Sequence, residues 1–216
     1  MVRQVATNQE RKAQQRQRIL EAAIKLFNRD GFKETHITTV AKEAGVSQVT
    51  LYKYFDSKLA LGQQVVIEMI LQGYASFQKL IDDDSVPFQD IVKAMMANKV
   101  KLSDAIHPDF YQFVIDEMRG VYGSSVVKQT YDDGEKKFWD SVVVRGRAAG
   151  MINPNISDEA LLLYLHMYVT YFSTADIPPK KYQRLIDQLM HLFFYGFAGG
   201  PVPSPESQPT DQEDEK

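Results

Sequence analysis

Apolar residues recur at the three- and four-residue spacing of amphipathic helices along most of the chain, and no stretch alternates as a strand does. Gly and Pro cut this pattern into segments. The spacing predicts a first helix over 11–29 with an inner face of Ala22, Ala23, Leu26 and Phe27. Two short helices follow, and a longer helix is predicted over 57–81. The pattern indicates an all-α fold of about nine helices.

Five further helical segments are predicted beyond residue 81. They are 87–103, 108–119, 124–149, 158–174 and 179–197. Asp132, Asp133 and Gly134 could form a turn inside 124–149. The apolar residues on both sides of them keep one helical phase, so we favour a continuous helix; these residues are Val127, Tyr131, Phe138 and Val142.

The two short helices meet at a tight corner of Ala44, Gly45, Val46 and Ser47. Thr38 stands where an N-cap is expected, so the first short helix is predicted over 39–44. Gly45 can take the positive φ that ends a helix, and Ser47 can cap the next helix through its hydroxyl. A helix that ends and another that starts within three residues are typical of a helix-turn-helix, which indicates a contact with duplex DNA.

The second short helix carries polar groups on its outward side. Val46, Leu51 and Phe55 are predicted to point inward. The outward residues are Gln48, Val49, Thr50, Tyr52, Lys53 and Tyr54. An amide can pair with adenine and a methyl group with thymine, while hydroxyl and ammonium groups can reach phosphates. A helix-turn-helix that binds protein would instead show an acidic or apolar outward face, so the pattern favours DNA.

Residues 18–58 resemble the DNA-binding domain of the TetR family of bacterial transcriptional regulators. The resemblance rests on Arg18-Ile19-Leu20, Ala22-Ala23, Leu26-Phe27, Gly31-Phe32, 38–41, 44–47, Leu51-Tyr52, Tyr54-Phe55 and Ser57-Lys58. Two positions differ from the family's usual residues: Leu59 stands where an acid is frequent and Tyr54 where a histidine is frequent. The rest of the chain resembles the family in length and helical character.

The resemblance implies roles for individual residues. Gln48, Val49 and Thr50 would face base edges. Phosphates would be held by Thr38, Tyr52, Lys53, Tyr54 and Lys58, and Thr39 and Ser47 complete the predicted DNA-binding set. For Tyr52 and Tyr54, packing against the neighbouring helix is the alternative role. The family also implies a dimeric regulator that responds to a small molecule, more often a repressor than an activator.

Charge is distributed unevenly along the chain. Residues 1–62 hold 11 Lys and Arg against 6 Asp and Glu, whereas residues 63–216 hold 14 against 22. A basic head on an acidic body suits a protein of which one end meets phosphates. We predict a DNA-binding domain over 1–56, a ligand-binding and dimerisation domain over 57–197 and a disordered acidic tail over 198–216.

Composition gives no support for an enzyme or a metal site. The chain has no cysteine, which excludes disulfides and cysteine-ligated metals. Its four histidines are far apart, and no nucleophile elbow, phosphate-binding loop or dinucleotide fingerprint occurs. We therefore expect no catalytic residue, no metal and no cofactor. The N-terminal residues lack a secretory signal and no apolar run is long enough for a bilayer, so we expect a cytoplasmic protein without membrane contact.

Apolar residues encircle segment 161–172, and the last predicted helix is apolar around much of its circumference. A helix that is apolar all round must pack against other helices on both sides. We therefore predict a homodimer joined through the last two helices, with a monomer as the alternative, and two heads that read a palindromic operator in double-stranded DNA.

A small-molecule effector, of unknown identity, is predicted to bind in the acidic body and to act on the heads through helix 57–81. Its candidate pocket consists of Phe110, Phe113, Phe138, Trp139, Tyr164 and Tyr168, with His166 as a polar group. Aromatic side chains with one polar group favour an apolar or aromatic ligand. Ordinary core packing is the alternative role of each residue. The alternative functions are a helix-turn-helix protein-interaction module and a transcriptional activator without a small-molecule ligand.

Overall fold

A computed structural model of the chain describes residues 7–91, 94, 106–174, 188 and 192. These residues contain no strand and include seven helices with defined bounds, which confirms the all-α prediction. The helices are α1 (Asn8–Asp30), α2 (Ile37–Glu43), α3 (Gln48–Tyr52), α4 (Lys58–Asp82), α5 (Pro108–Met118), α6 (Val126–Ala148) and α7 (Asp158–Thr174). Residues 88–91, 94, 188 and 192 are also helical. Most of predicted helices 87–103 and 179–197, and the whole predicted tail, lie outside the described residues.

Helix α1 begins at Asn8, three residues before the predicted start. Thr7 and Glu10 form a capping box, in which the Thr7 hydroxyl accepts from the Glu10 N–H and the Glu10 carboxylate accepts from the Thr7 N–H. This box satisfies two backbone donors at the helix end. The helix ends at Gly31, which has φ +85° and donates its N–H to the Phe27 carbonyl.

The predicted N-cap of the first short helix is wrong. Helix α2 starts at Ile37, with His36 as its N-cap and without a side-chain capping bond, and Thr38 lies exposed in the first turn. The reason is that Ile37 is buried with Val40, Ala41 and Ala44, so the inner face of the helix starts earlier than predicted.

Helix α6 is continuous through Asp132, Asp133 and Gly134, as predicted. Gly134 is explained by a close neighbour: a Cβ added to it would lie 2.4 Å from two carbons of the Tyr74 ring. The glycine therefore serves close packing between α4 and α6 rather than a turn.

The chain divides into two compact units, which do not follow the predicted boundary at residue 56. The first unit comprises 1–76 and 101–136, and the second comprises 77–100 and 137–216. The first unit includes most of α4 and all of α5 because both helices pack on the core that α1, α2 and α3 form. The predicted boundary at residue 56 concerns which part of the chain folds on its own, and it stays a prediction.

The core of the first unit is aromatic where α1 meets α5. Phe110 and Phe27 have ring centroids 5.3 Å apart, and Phe32 stacks on Phe113 at 3.8 Å. Gly62 of α4 lies against this stack, since an added Cβ would be 2.7 Å from the Phe32 ring and 2.8 Å from the Phe113 ring. These contacts join α1, α4 and α5 in one body.

The second unit has its own core, in which Ile81, Phe138, Trp139, Val142 and Val143 are buried. The Phe77 and Phe138 rings lie 5.6 Å apart. At the surface of this unit Arg145 pairs with Asp84 at 2.7 Å, and Arg147 pairs with Asp158 at 2.6 Å while it donates to the Ile156 carbonyl.

Candidate nucleic-acid interface

The corner between α2 and α3 has the backbone geometry that its sequence predicts. Gly45 has φ +65°. Its N–H donates to the Lys42 carbonyl at 3.1 Å, and the Val46 N–H donates to the Ala41 carbonyl at 2.9 Å. This pair of bonds is a Schellman motif, which ends a helix with its last carbonyls satisfied. The motif fixes the direction in which α3 leaves α2.

Ser47 caps α3, as predicted. Its hydroxyl oxygen accepts from the Thr50 N–H at 3.0 Å and lies 2.8 Å from the Thr50 hydroxyl. Helix α3 has five residues, so it depends on this cap and on burial of Leu51 more than on its own hydrogen bonds. Phe55, just beyond α3, is also buried, which agrees with the predicted inner face.

The opposite side of α3 is open to solvent. The side chain of Val49 is 69% exposed and that of Tyr52 is 43% exposed. Gln48 and Lys53 are exposed as well, whereas Thr50 is half-buried against Ser47. Thr38, Thr39 and Ser47 are exposed on the adjoining elements. We call the exposed residues Gln48, Val49, Tyr52 and Lys53 the α3 face. Contact of all these predicted residues with DNA stays a prediction.

Tyr54 is held by α1. Its hydroxyl donates to Oε1 of Gln15 at 2.9 Å, and its ring is half-buried. This matches the packing alternative for Tyr54. A phosphate contact by this hydroxyl requires the bond to Gln15 to break or to be shared.

Lys58 is engaged with the turn that follows α1. Its ammonium donates to the Lys33 carbonyl at 2.9 Å and lies 4.9 Å from the centre of the Phe32 ring. Burial lowers the pKa of Lys58, and the carboxylates of Asp109 and Glu34 oppose this shift. The predicted phosphate contact by Lys58 therefore competes with a structural role in the free protein.

The same turn is held from α5. Asp109 accepts from the Lys33 N–H at 2.7 Å and pairs with its ammonium at 3.3 Å. Burial on its own raises the pKa of Asp109, but the hydrogen bonds and charge of Lys33 outweigh it and keep that pKa below its usual range. His107, the N-cap of α5, lies against Gly31, where an added Cβ would be 2.8 Å from its Nδ1. Sequence reasoning missed these contacts because about 75 residues separate the partners.

A second missed contact lies between α4 and α5. Glu117 is fully buried, and both of its carboxylate oxygens accept from the Gln63 amide, at 3.0 and 3.2 Å. Burial raises the pKa of Glu117, and the hydrogen bond from Gln63 partly offsets the increase. A buried acid with a neutral partner costs stability when it is ionised, and the sequence gives no signal for it.

The predicted ligand-binding residues divide between the two units. Phe110 and Phe113 are buried in the first unit, where they pack on Phe27 and Phe32. Phe138 and Trp139 are buried in the second unit, Tyr164 and His166 are exposed there, and the side chain of Tyr168 lies outside the described residues.

Two surface hollows occur in the second unit. One of about 660 Å³ is lined by Arg147 and residues 150–155, and one of about 410 Å³ has Gln78, Asp140 and Val144 among its lining residues. Neither contains a residue predicted for the ligand, so the pocket stays a prediction. In the part of the chain that the structure describes, no three His, Asp or Glu residues are grouped as metal ligands, and no helix is long and apolar enough to cross a membrane.

Comparison with known proteins supports the geometry of the α3 face. The profile of the bacterial regulatory proteins of the tetR family matches residues 19–65, which include α2, the corner and α3. The regulator TtgW of Pseudomonas putida, an uncharacterised HTH-type transcriptional regulator, is 32% identical over 99 residues, which are 45% of this chain and 68% of that protein. The chain belongs to the TetR family of transcriptional regulators.

Two further comparisons extend beyond the head. The HTH-type transcriptional repressor KstR2 of Mycolicibacterium smegmatis is 22% identical over 71% of this chain and 75% of its own. The crystal structure of the TetR-family repressor FadR of Thermus thermophilus, in complex with lauroyl-CoA, has a TM-score of 0.56 and is 18% identical over 88% of this chain and 98% of that one. Other curated relatives are matched over 61% of their length. The similarity in fold therefore covers both the head and the helical segments that follow it in the sequence.

Proposed function

We propose that this TetR-family regulator is a homodimeric repressor that binds a palindromic operator through its α3 face and leaves it when a small molecule binds. The observation that carries the proposal is the α3 face itself. A capped short helix presents Gln48, Val49 and Lys53 to solvent while Leu51 anchors it in the core. Amide, methyl and ammonium groups are those that read base edges and hold phosphates in a major groove.

Selection from random duplexes tests the DNA-binding part. We expect an enriched palindrome with half-sites about 34–36 Å apart, centre to centre. Gln48→Ala should relax the preference at particular base pairs by about 1–3 kcal/mol, because the substitution removes the amide that pairs with a base. Lys53→Ala should instead weaken binding to every duplex. Absence of any enriched sequence would rule out a sequence-specific regulator and would favour the protein-interaction alternative.

The dimer proposal is supported by an exposed apolar stripe on α7. Leu163 and Met167 are each 63% exposed and Tyr171 is 60% exposed. Their four-residue spacing places them on one side of the helix. Three large apolar side chains in a row on a charged protein's surface are typical of an interface. A second copy of the chain, with the same stripe, is the partner that two-fold symmetry offers.

Leu163→Asp tests this interface, with Val144→Asp as the matched control. Val144 is also an exposed apolar residue of a helix in the second unit, at 69% exposure. We expect Leu163→Asp to give monomers in sedimentation at micromolar concentration, because a charge buried without a partner is costly. Val144→Asp should leave the dimer intact. A monomeric wild-type protein, or equal behaviour of the two variants, would contradict the proposal.

The proposed effector acts through α4, which runs through both units. Support comes from the contacts of its first half: Gly62 lies under the Phe32 and Phe113 rings, and Gln63 holds Glu117 of α5. A displacement of α4 or α5 would therefore reach the turn at Phe32 and the head. The related fold of FadR holds lauroyl-CoA, so acyl-CoA esters and aromatic metabolites are the first ligands to screen.

A further inference from the structure

The first three turns of α1 contain no fully buried residue. Residues 8–14 are exposed, residues 15–17 are half-buried and Ile19 is the first buried residue, so residues 8–18 form a segment about 16 Å long at 1.5 Å per residue. This segment, which we call the α1 extension, contains Ala13 as its one apolar residue, four cations and one acid, Glu10. Burial of an apolar face cannot stabilise a helical segment that is polar on all sides. The capping box at Thr7 nevertheless fixes its start.

Gln15 and Arg16 hold the α1 extension to α4 and to the residues that follow α3. Gln15 accepts from the Tyr54 hydroxyl at 2.9 Å. Arg16 donates to Oε1 of Gln64 at 2.7 Å, and its guanidinium lies 5.5 Å from the centre of the Phe55 ring. The extension is therefore positioned relative to α3 before any ligand binds, which lowers the entropy cost of using its side chains in binding.

Another side of the extension points to the corner of the helix-turn-helix. Arg11, Arg18 and Lys25 follow one another at seven-residue spacing and so share one side of α1. Lys25 pairs with Glu43 at the end of α2. The Arg18 guanidinium lies beside the corner, with Nη1 3.9 Å from the position of a Cβ on Gly45. Arg11 lies about 10 Å further along the axis.

The cations of the head differ in whether acids neutralise them. Lys25, Arg29 and Lys33, all on α1 or the turn after it, pair with Glu43, Asp30 and Asp109. In the described part of the head the exposed cations without an ion pair are Arg11, Lys12, Arg18, Lys42 and Lys53. Three of these five belong to the α1 extension. Unpaired positive charge is thus present on α1 as well as on α2 and α3, and Arg18 places part of it beside the corner.

We propose that Arg11 and Arg18, with Lys12 at the edge, form a second phosphate-binding surface, which holds the DNA backbone beside the base pairs that α3 reads. The proposal rests on the proposed DNA-binding function and deepens it. Arg18 is the central residue because it borders the corner from which α3 starts. The 10 Å between Arg18 and Arg11 correspond to about three base pairs of backbone at 3.4 Å per nucleotide step. Contacts to phosphates add affinity and orientation without sequence preference.

The salt dependence of operator binding by the full chain tests the proposal. Neutralising a phosphate releases counterions, so the slope of log K against log salt should become shallower by about 0.9 for each phosphate that is no longer neutralised, and by twice that where two heads bind. We expect a shallower slope for Arg18→Gln and a larger change of slope for the Arg11→Gln/Lys12→Gln double variant. The base preference should be unchanged in both. Arg18→Lys should restore the slope. Arg29→Gln is the matched control, since Arg29 lies on the same helix but pairs with Asp30.

Duplexes with uncharged methylphosphonate links at the flanking positions give an independent measurement. The wild-type protein should lose affinity for such a duplex, and Arg18→Gln should lose less. If Arg18→Gln and the double variant match Arg29→Gln in slope and affinity, the α1 extension does not hold phosphates. A changed base preference in Arg18→Gln would overturn the assignment as well. If the wild-type protein selects no sequence, the proposed function is contradicted. The salt slopes of the variants, measured on any duplex that the protein binds, would still decide whether the α1 extension holds phosphates.

Discussion

Gly62 lies on α4 where a methyl group would meet two aromatic rings, those of Phe32 and Phe113. Gly62→Ala should destabilise the protein by about 1–3 kcal/mol, because both rings must move to admit the Cβ. Gly73→Ala, in the same helix but with nothing within 4 Å of the added Cβ, should stabilise it by up to about 1 kcal/mol through helix propensity. Equilibrium unfolding in urea checks both. Equal effects of the two variants would contradict this account of Gly62.

Glu117 predicts a dependence of stability on pH. Its pKa is raised by burial, so the folded chain holds the proton more tightly than the unfolded chain. The stability that this provides is complete below the unfolded pKa of about 4.3 and is lost as pH rises through the folded pKa. Glu117→Gln stays neutral at every pH. The free energy of unfolding of the wild-type protein should therefore fall relative to that of Glu117→Gln as pH rises from about 4. A constant difference would show that Glu117 does not titrate in this way.

The residues of the α3 face could be identified from sequence because local chemistry decides them. A glycine at a helix end predicts a positive φ, a serine before a helix predicts a cap, and a leucine on the inner face predicts burial. The structure shows each of these at Gly45, Ser47 and Leu51. Gln63 and Glu117 could not be identified, because a buried amide and carboxylate 54 residues apart leave no pattern along the chain. Arg18 was counted in the family resemblance, but its approach to Gly45 depends on how α1 crosses α2.

Helix α3 depends on its N-cap. Ser47→Ala removes the acceptor for the Thr50 N–H and should cost about 0.5–2 kcal/mol. Ser57→Ala is the control, since Ser57 accepts from the Ala60 N–H in the same way at the start of α4. Both variants should lose stability in thermal unfolding, but Ser47→Ala should weaken operator binding further because α3 carries the face that reads DNA. Similar operator affinity in the two variants would show that the cap of α3 has no specific part in DNA binding.

Helix positions could be predicted where the apolar periodicity continues. They were less predictable where a tertiary contact determines where a helix ends or which residue it contains. The continuity of α6 followed from apolar spacing, yet the reason for Gly134 is the Tyr74 ring, which lies 60 residues earlier in sequence. The start of α2 was misplaced because Thr38 is a good capping residue, while burial of Ile37 decided the boundary. Tertiary packing thus overrides local propensity at element ends.

The helical class and the basic head of the protein could be predicted from sequence, but its division into two units could not. Charge and motif separate residues 1–62 from the rest, whereas packing places α5 with the head through Phe110 and Phe113. Both aromatic residues were assigned to a ligand pocket because aromatic composition alone cannot distinguish a pocket from a core. Their packing on Phe27 and Phe32 makes α5 a candidate for transmission between effector and head.

Transmission through α5 predicts that the protein's affinity for the effector and its affinity for the operator are linked. An effector that weakens operator binding by some factor, typically about 5–150, must itself bind more weakly by the same factor when operator is present. Fluorescence titration of the protein with a ligand from the acyl-CoA and aromatic screen, with and without operator duplex, measures this factor. Gly62→Ala should reduce the factor while Gly73→Ala preserves it, because only Gly62 lies under the rings that join α4, α5 and the turn at Phe32. An effector whose affinity is indifferent to operator would contradict the switch and leave the DNA-binding function standing.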